Sequence, residues 1–218
     1  MADKNRTTEW KTPIGRLAYA KNLYVASSYQ NEPNGRKTFR CEMIFPKTFR
    51  KFFEEKLAEV ISKMPGGLER AKTGIIRSPL LAGDGKEARY QTGEKAGQIK
   101  PGLGPEVFFI RATAVPEVNG VPQPPPWVRW KDPNRTAELG PEQIYGGCYG
   151  KAVMNVFEWS DGKGVSFGFS GFQKLREGEP LGDAGSGSDP AKWVETIEDA
   201  GEAPPETKSG AGASGLFG

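Results

Sequence analysis

Residues 144–160 read IYGGCYGKAVMNVFEWS, and residues 161–175 continue DGKGVSFGFSGFQKL. Asp161-Gly162-Lys163-Gly164 has the composition of a hairpin turn, so the flanking segments form a strand pair: a glycine-kinked strand first, then Val165–Leu175. Val165, Phe167 and Phe169 share one phase of the second strand and predict its buried side. Glycine weakens a strand interior but permits sharp bends, which a small, tightly curled sheet requires.

Working outward from that hairpin, Glu106–Ala114 (EVFFIRATA) is a further strand, with Val107, Phe109 and Arg111 on one face and Phe108, Ile110 and Ala112 on the other. A polyproline piece, PQPPPW, precedes a short strand over Trp127–Trp130. Near the N-terminus, residues 14–29 suit one long bent strand or two short ones. A turn at Asn34-Gly35 leads into Thr38–Phe45, where Phe39, Cys41, Met43 and Phe45 form a core face and Thr38, Arg40 and Glu42 the opposite one. After Pro46 the period changes: Phe49, Phe52, Phe53, Leu57, Val60, Ile61 and Met64 recur at three- and four-residue spacings. This predicts an amphipathic helix with Thr48 as N-cap, stopped by Pro65-Gly66-Gly67. Residues 66–105 hold nine glycines, three prolines, seven basic and four acidic residues with little periodicity, and read as a long segment without regular structure, either functional or mobile.

Five strands with one helix after the second predict a mainly β fold, a five-stranded Greek-key barrel of the oligonucleotide-binding type spanning residues 1–182. Other α+β layouts fit the same pattern. Past Gly182 the chain turns to Gly, Ser, Ala, Pro and acidic residues, which cannot bury enough apolar area to offset chain entropy, so residues 183–218 are expected to be a disordered tail.

Charge divides along the same boundary. The 218-residue chain carries +3 overall, yet from Leu181 onward seven acidic residues face two basic ones, net −5, leaving 28 basic against 20 acidic, net +8, in residues 1–180. A basic body joined to an acidic tail is an asymmetry with functional meaning. The chain has no histidine, which excludes Ser-His-Asp and Cys-His nucleophiles and His-ligated zinc. Cys41 and Cys148 belong to no Cys-x-x-Cys pair and read as buried free thiols. No stretch approaches the roughly 18 apolar residues of a membrane span, and MADKNRTTEWK lacks the apolar run of a signal peptide, so a cytoplasmic protein without membrane partners is expected.

A single nucleic-acid strand binds to a basic groove lined with aromatic rings on which bases stack. The chain interleaves those types in Arg36-Lys37-Thr38-Phe39-Arg40, in Phe109-x-Arg111, in Trp127-x-Arg129-Trp130, and from Lys151 through Phe157-x-Trp159. Arg77 and Tyr90 in the long loop extend the set, so the candidate DNA-binding residues are Arg36, Lys37, Arg40, Arg77, Tyr90, Phe109, Arg111, Trp127, Arg129, Lys151 and Trp159. The competing reading of each cluster is an aromatic core beneath a solvated charged face. No catalytic residue, metal ligand or cofactor is expected. Gly210–Gly215 matches G-x-G-x-x-G but follows no strand and opens no helix, and Asp84, Glu87, Asp132, Glu158 and Asp161 are scattered singly rather than paired for two metals. The alternatives are a magnesium-dependent nuclease and an interaction scaffold using the polyproline and acidic segments.

The run Ile144–Lys151, the following strand and turn, Gly164-Val165-Ser166-Phe167 and then Gln173–Gly182 (QKLREGEPLG) together resemble the C-terminal core of a phage family of single-stranded DNA-binding proteins, itself distantly similar to the T7-type protein. Ile44-Phe45-Pro46-Lys47 before a helix is compatible with the same family, and the resemblance spans roughly residues 10–182. It implies an oligonucleotide-binding fold, sequence-tolerant binding during phage replication or recombination in the host cytoplasm, and an acidic tail that contacts replication proteins; a homodimer is the other partner considered. In T7-type relatives that tail ends on an aromatic residue. Here Phe217 is next to last and the nearest acid is Glu206, a departure that bears on the tail rather than the barrel.

Overall fold

A computed structural model of the chain describes residues 5–28, 35–130, 139–140 and 143–181. In chain order the elements are β1 (Trp10–Lys11), β2 (Gly15–Leu17), the one-turn helix α1 (Lys21–Tyr24), β3 (Phe39–Pro46), α2 (Arg50–Ile61), α3 (Gly67–Lys72), β4 (Leu81–Ala82), β5 (Val107–Ala114), the small hairpin β6 (Glu117–Val118) and β7 (Val121–Pro122), β8 (Trp127–Trp130), β9 (Tyr149–Glu158) and β10 (Val165–Arg176).

The glycine-kinked hairpin forms as its sequence predicts. β9 and β10 pair antiparallel from Glu158↔Val165 to Tyr149↔Arg176, with register shifts at Phe169/Gly171 and Lys174/Arg176 that let the long strands curl. β10 runs parallel to β5, β5 antiparallel to β3, and β3 antiparallel to β2. β2 and β1 both pair antiparallel with β9 as two halves of one broken strand, which closes a five-strand mixed barrel. β8 adds alongside the second half of β10, and β4 alongside β5.

Alternation sets the interior. Cys41, Met43 and Phe45 of β3, Phe108, Ile110 and Ala112 of β5, Ala152, Met154 and Val156 of β9, and Val165, Phe167 and Phe172 of β10 all point into one core. Cys41 and Cys148 are free and buried, and burial pushes both thiols upward, away from the reactive thiolate. α2 lays Phe53, Leu57, Val60 and Ile61 onto the barrel. Phe53 sits among the rings of Phe45, Phe108, Phe167 and Trp10, with centroids 4.8–6.0 Å away. Rings at such spacings in tilted or edge-to-face contact add about 0.5–1.5 kcal/mol per pair beyond their buried area.

The structure corrects the sequence reading at several boundaries. Thr48 is not an N-cap: a 3-10 turn over Lys47–Phe49 leads into α2, whose start carries no side-chain cap hydrogen bond. Pro46 sets that entry, because its extended backbone ends β3 and the tight turn begins one residue later. Gly66 and Gly67 do more than stop a helix. Gly66 adopts φ 60°, and at Gly67 a Cβ would run into the Ile61 carbonyl, so the pair turns the chain into α3 at close range. The segment 66–105 accordingly holds a helix, the short strand β4 and a 3-10 turn at Lys86–Ala88. Residues 21–24, expected as strand, form a helical turn, and β9 begins at Tyr149 rather than Ile144. The Asn34 half of the Asn34-Gly35 turn and the tail past residue 181 lie outside the described residues.

Candidate nucleic-acid interface

β3 and β5 are register partners along their whole length, so their outward side chains make one face: Arg40, Glu42 and Ile44 from β3, and Val107, Phe109, Arg111 and Thr113 from β5. The face has two halves. At one end Ile44 and Phe109 are fully covered by Ala18 and Ala88, with Leu81, Leu103, Val107 and Leu181 packed around them. Phe109 is therefore not available to stack on a base in this structure, contrary to the sequence expectation. The alternation identified its face correctly, but Ala18, Ala88, Leu103 and Leu181, with Leu81 of the neighbouring β4, pack over it from distant parts of the chain.

The other half is polar and aromatic. Arg111 Nε lies 2.6 Å from Glu42 Oε2, and the guanidinium sits 5.2 Å from the centroid of the Phe109 ring, which forms its floor. Tyr19 stands beside this pair with 41% of its surface exposed; burial of its hydroxyl, then the Glu42 charge and Tyr90, push it up to about 12 against the opposing pull of Arg111. Lys100 is held below the ordinary lysine value by burial and by Arg111, with Glu42 working the other way. Tyr19, Glu42, Tyr90, Lys100 and Arg111 thus share one local field. Tyr90 and Arg111 are among the sequence candidates; Tyr19 and Lys100 are not, since they come from aperiodic segments where nothing marks the direction of a side chain.

The remaining candidates are placed as follows. Arg36 and Lys37 are exposed just ahead of β3. Arg40 Nη2 donates to Ser28 O at 2.8 Å, to Ser27 O at 3.2 Å and to Ser27 Oγ at 3.3 Å, so this arginine braces the chain after α1 against β3. Its Nε is buried with no hydrogen-bond partner among the described residues. Arg77 is exposed and makes a backbone bridge to Gly164, at the β9–β10 turn. Lys151 and Trp159 follow the outward phase of β9, and Trp127 seats on Gly171 of β10, so these three lie on a different flank from Arg111. Arg129 is the register partner of Gln173 on β10.

Beside the covered half of the face, residues 177–181 are pinned across the barrel. Arg16, buried and lowered to about 10 by that burial, donates to Gly147 O at 3.2 Å and to Glu179 O. Tyr145 Oη lies 2.6 Å from Glu177 Oε2 and 2.8 Å from Gly178 O, and Leu181 N donates to Gly146 O at 2.7 Å. The Tyr149 ring is held between Arg16 and Arg176, 6.0 and 4.3 Å from its centroid.

A family described as the single-stranded DNA-binding protein of Enterobacter phage Enc34 matches residues 8–201. The chain belongs to that family. Solved structures of the Enc34 protein share its fold: the complex with single-stranded DNA at 19% identity over 80% of this chain and 89% of that one, TM-score 0.50, and a C-terminal truncation at 19% identity over 82% and 93%, TM-score 0.51. The single-stranded DNA-binding protein of bacteriophage T7 aligns at 11% identity over 90% and 98%, TM-score 0.43. No curated protein sequence matches the chain. The resemblance read from residues 144–182 thus leads to the family that its sequence as a whole matches, and the barrel agrees with the fold that the family implies.

Among the described residues no three of Cys, Asp and Glu gather in a metal-binding group, and no helix is long and apolar enough to cross a membrane.

Proposed function

We propose that this chain binds single-stranded DNA without sequence preference, as a non-enzymatic protein of phage replication or recombination in the host cytoplasm, using the open half of the β3–β5 face. The observation that carries the reading is the Arg111–Glu42 pair on the adjacent strands β5 and β3 of the barrel, a face such barrels commonly use, with Tyr19, Tyr90 and Lys100 reaching the same local field from the connecting segments. Lys100 and Arg111 supply positive charge for phosphates, and Arg36 and Lys37 at the start of β3 extend the charged track. Tyr19 and Tyr90 offer rings for bases, each stack contributing about 1–3 kcal/mol irrespective of base identity. Arg40 acts on the same surface indirectly, by holding the segment after α1 in place.

The acidic tail, net −5 from Leu181 onward, is read as a competitor for this groove and as the contact for replication proteins. Residues 177–181 support the first role, because they run the chain onto the covered half of the same face before the tail begins.

A gel shift of full-length protein with a single-stranded oligonucleotide at two salt concentrations tests the proposal. Retention at low salt and release at high salt is expected, since each phosphate contact releases a counterion. No retention at low salt overturns it. The same mixture with magnesium, followed over time, distinguishes the nuclease alternative, which predicts progressive cleavage where a binding protein leaves the strand intact.

A further inference from the structure

Gly164, just ahead of β10, and Gly168 and Gly171 on its outward side are each covered by a side chain from a neighbouring strand or the residue that follows it. The Trp159 indole lies over Gly164, where a Cβ would come within 2.7 Å of its ring atoms; Asn155 covers Gly168; Trp127 covers Gly171. A glycine inside a strand costs stability, and here the missing Cβ lets two indoles lie flat on the backbone. Both tryptophans are half-buried residues, with ring atoms set close against the sheet backbone. Trp159 is locked further by Nε1 donating to Ser166 Oγ at 2.7 Å. Flanking them on β9 are Phe157, with the exposed Arg6 guanidinium 5.6 Å from its ring centroid, and Lys151. Rigid half-exposed rings beside basic side chains are what a single strand uses for stacking.

This flank is continuous with the β3–β5 face. Arg40 pairs with Thr113, Thr113 with Gly168, and Gly168 with Asn155, so one row of cross-strand neighbours runs round the barrel from one surface to the other. The row crosses the β5–β10 seam over small side chains, and at its far side Asn155 Oδ1 is buried with no hydrogen-bond partner among the described residues.

We propose that the β9–β10 flank is a second strand-binding segment: a single nucleic-acid strand leaving the β3–β5 face crosses the Thr113–Gly168 saddle and stacks on Trp159 and Trp127, wrapping the barrel instead of lying along one side. The proposal rests on the β3–β5 reading above. It accounts for the division of the sequence candidates into two surface groups, since both belong to one path.

The test uses full-length protein and two oligothymidines, a short one that fits one face and a longer one that can wrap, each at one protein per strand. The wild type is expected to bind the longer strand more tightly than the short one. The Arg6→Gln, Lys151→Gln variant, altered on side chains outside the core, is expected to keep its affinity for the short strand and to lose most of the gain from length. Trp159→Ala is expected to lose at least about five-fold on the longer strand alone, the change that one lost stack of about 1 kcal/mol implies. Because that variant removes packing over Gly164, photo-crosslinking of an iodouracil-substituted longer strand to Trp159 or Trp127 in the wild type is the companion measurement. A wild type that gains nothing from length, a charge variant that keeps the gain, or crosslinks that avoid both tryptophans overturns the second segment. Arg111→Gln weakening neither strand overturns the β3–β5 reading instead, so the two failures are distinguishable.

Discussion

Arg111 on β5 and Glu42 on β3 are direct register partners, and their side chains meet at 2.6 Å in the middle of the proposed binding face. An acid placed there restrains the cation it holds, so a phosphate must compete with Glu42 for Arg111. Glu42→Gln is expected to tighten single-strand binding several-fold and to steepen its salt dependence. Arg111→Gln is expected to weaken binding and to flatten the slope by about 0.7, the value of one phosphate contact on a single strand. Titrations at four or five salt concentrations check both; equal slopes in the two variants would sink the assignment of Arg111 to a phosphate.

Breaking that pair also has a stability side. Glu42 is nearly buried, and its second oxygen, Oε1, has no hydrogen-bond partner among the described residues. Arg111→Gln therefore leaves an unpaired carboxylate under cover and is expected to lower the thermal midpoint, whereas the double variant with Glu42→Gln recovers most of the loss. A double variant as unstable as the single one would show that Arg111 acts by packing on Phe109 rather than by charge.

Deleting residues 183–218 removes the whole acidic block, all seven acids and both bases, while the pinned residues 177–181 stay. The expected result is several-fold tighter binding at low salt, shrinking as salt screens the tail from the groove. Affinity unchanged by the deletion at low salt rules out competition.

What was legible in the sequence was whatever depends on neighbours a few residues apart. Phe39–Phe45, Phe108–Ala112 and Val165–Phe169 show their inward phase because alternation is local, and the helix after Pro46 shows because its period is. The covered state of Phe109 was not legible, since Ala18, Leu103 and Leu181 reach it from distant parts of the chain. From the sequence Gly164 reads as a turn residue and the strand glycines as bends; that Gly164 and Gly171 are seats for Trp159 and Trp127 becomes visible only once the strand register is known. The field joining Tyr19, Lys100 and Arg111 was hidden for the same reason, because two of the three sit in segments without a period.

Phe53 is the side chain through which α2 holds the barrel, touching Phe45, Phe108, Phe167 and Trp10 at once. Phe53→Ala is expected to cost about 3–5 kcal/mol, because the rings around it belong to four separate elements and cannot close the cavity together. Chemical denaturation measures it. A cost below about 1 kcal/mol would mean that the helix docks through Leu57 and Ile61 alone.

Tyr19 supplies a pH test of the binding face. Its hydroxyl is pushed from 10.0 to about 12, first by burial and then by Glu42. The folded protein keeps this proton at pH values where the unfolded chain has released it. Its contribution is therefore complete below about pH 10 and is lost as pH rises from about 10 to about 12. Tyr19→Phe has no proton to lose, so its stability is expected to fall less steeply over that window than the wild type, with equal slopes below it. Tyr145 and Tyr149 are raised as well and keep part of the alkaline loss in both proteins, which makes the difference between the two curves the quantity to read. The same substitution keeps a ring for stacking, so single-strand affinity at neutral pH should stay within about two-fold of wild type if Tyr19 works through its ring. A large loss of affinity in Tyr19→Phe, with the alkaline curves superimposed, would instead assign the residue's role to a hydroxyl contact and remove it from the stacking surface.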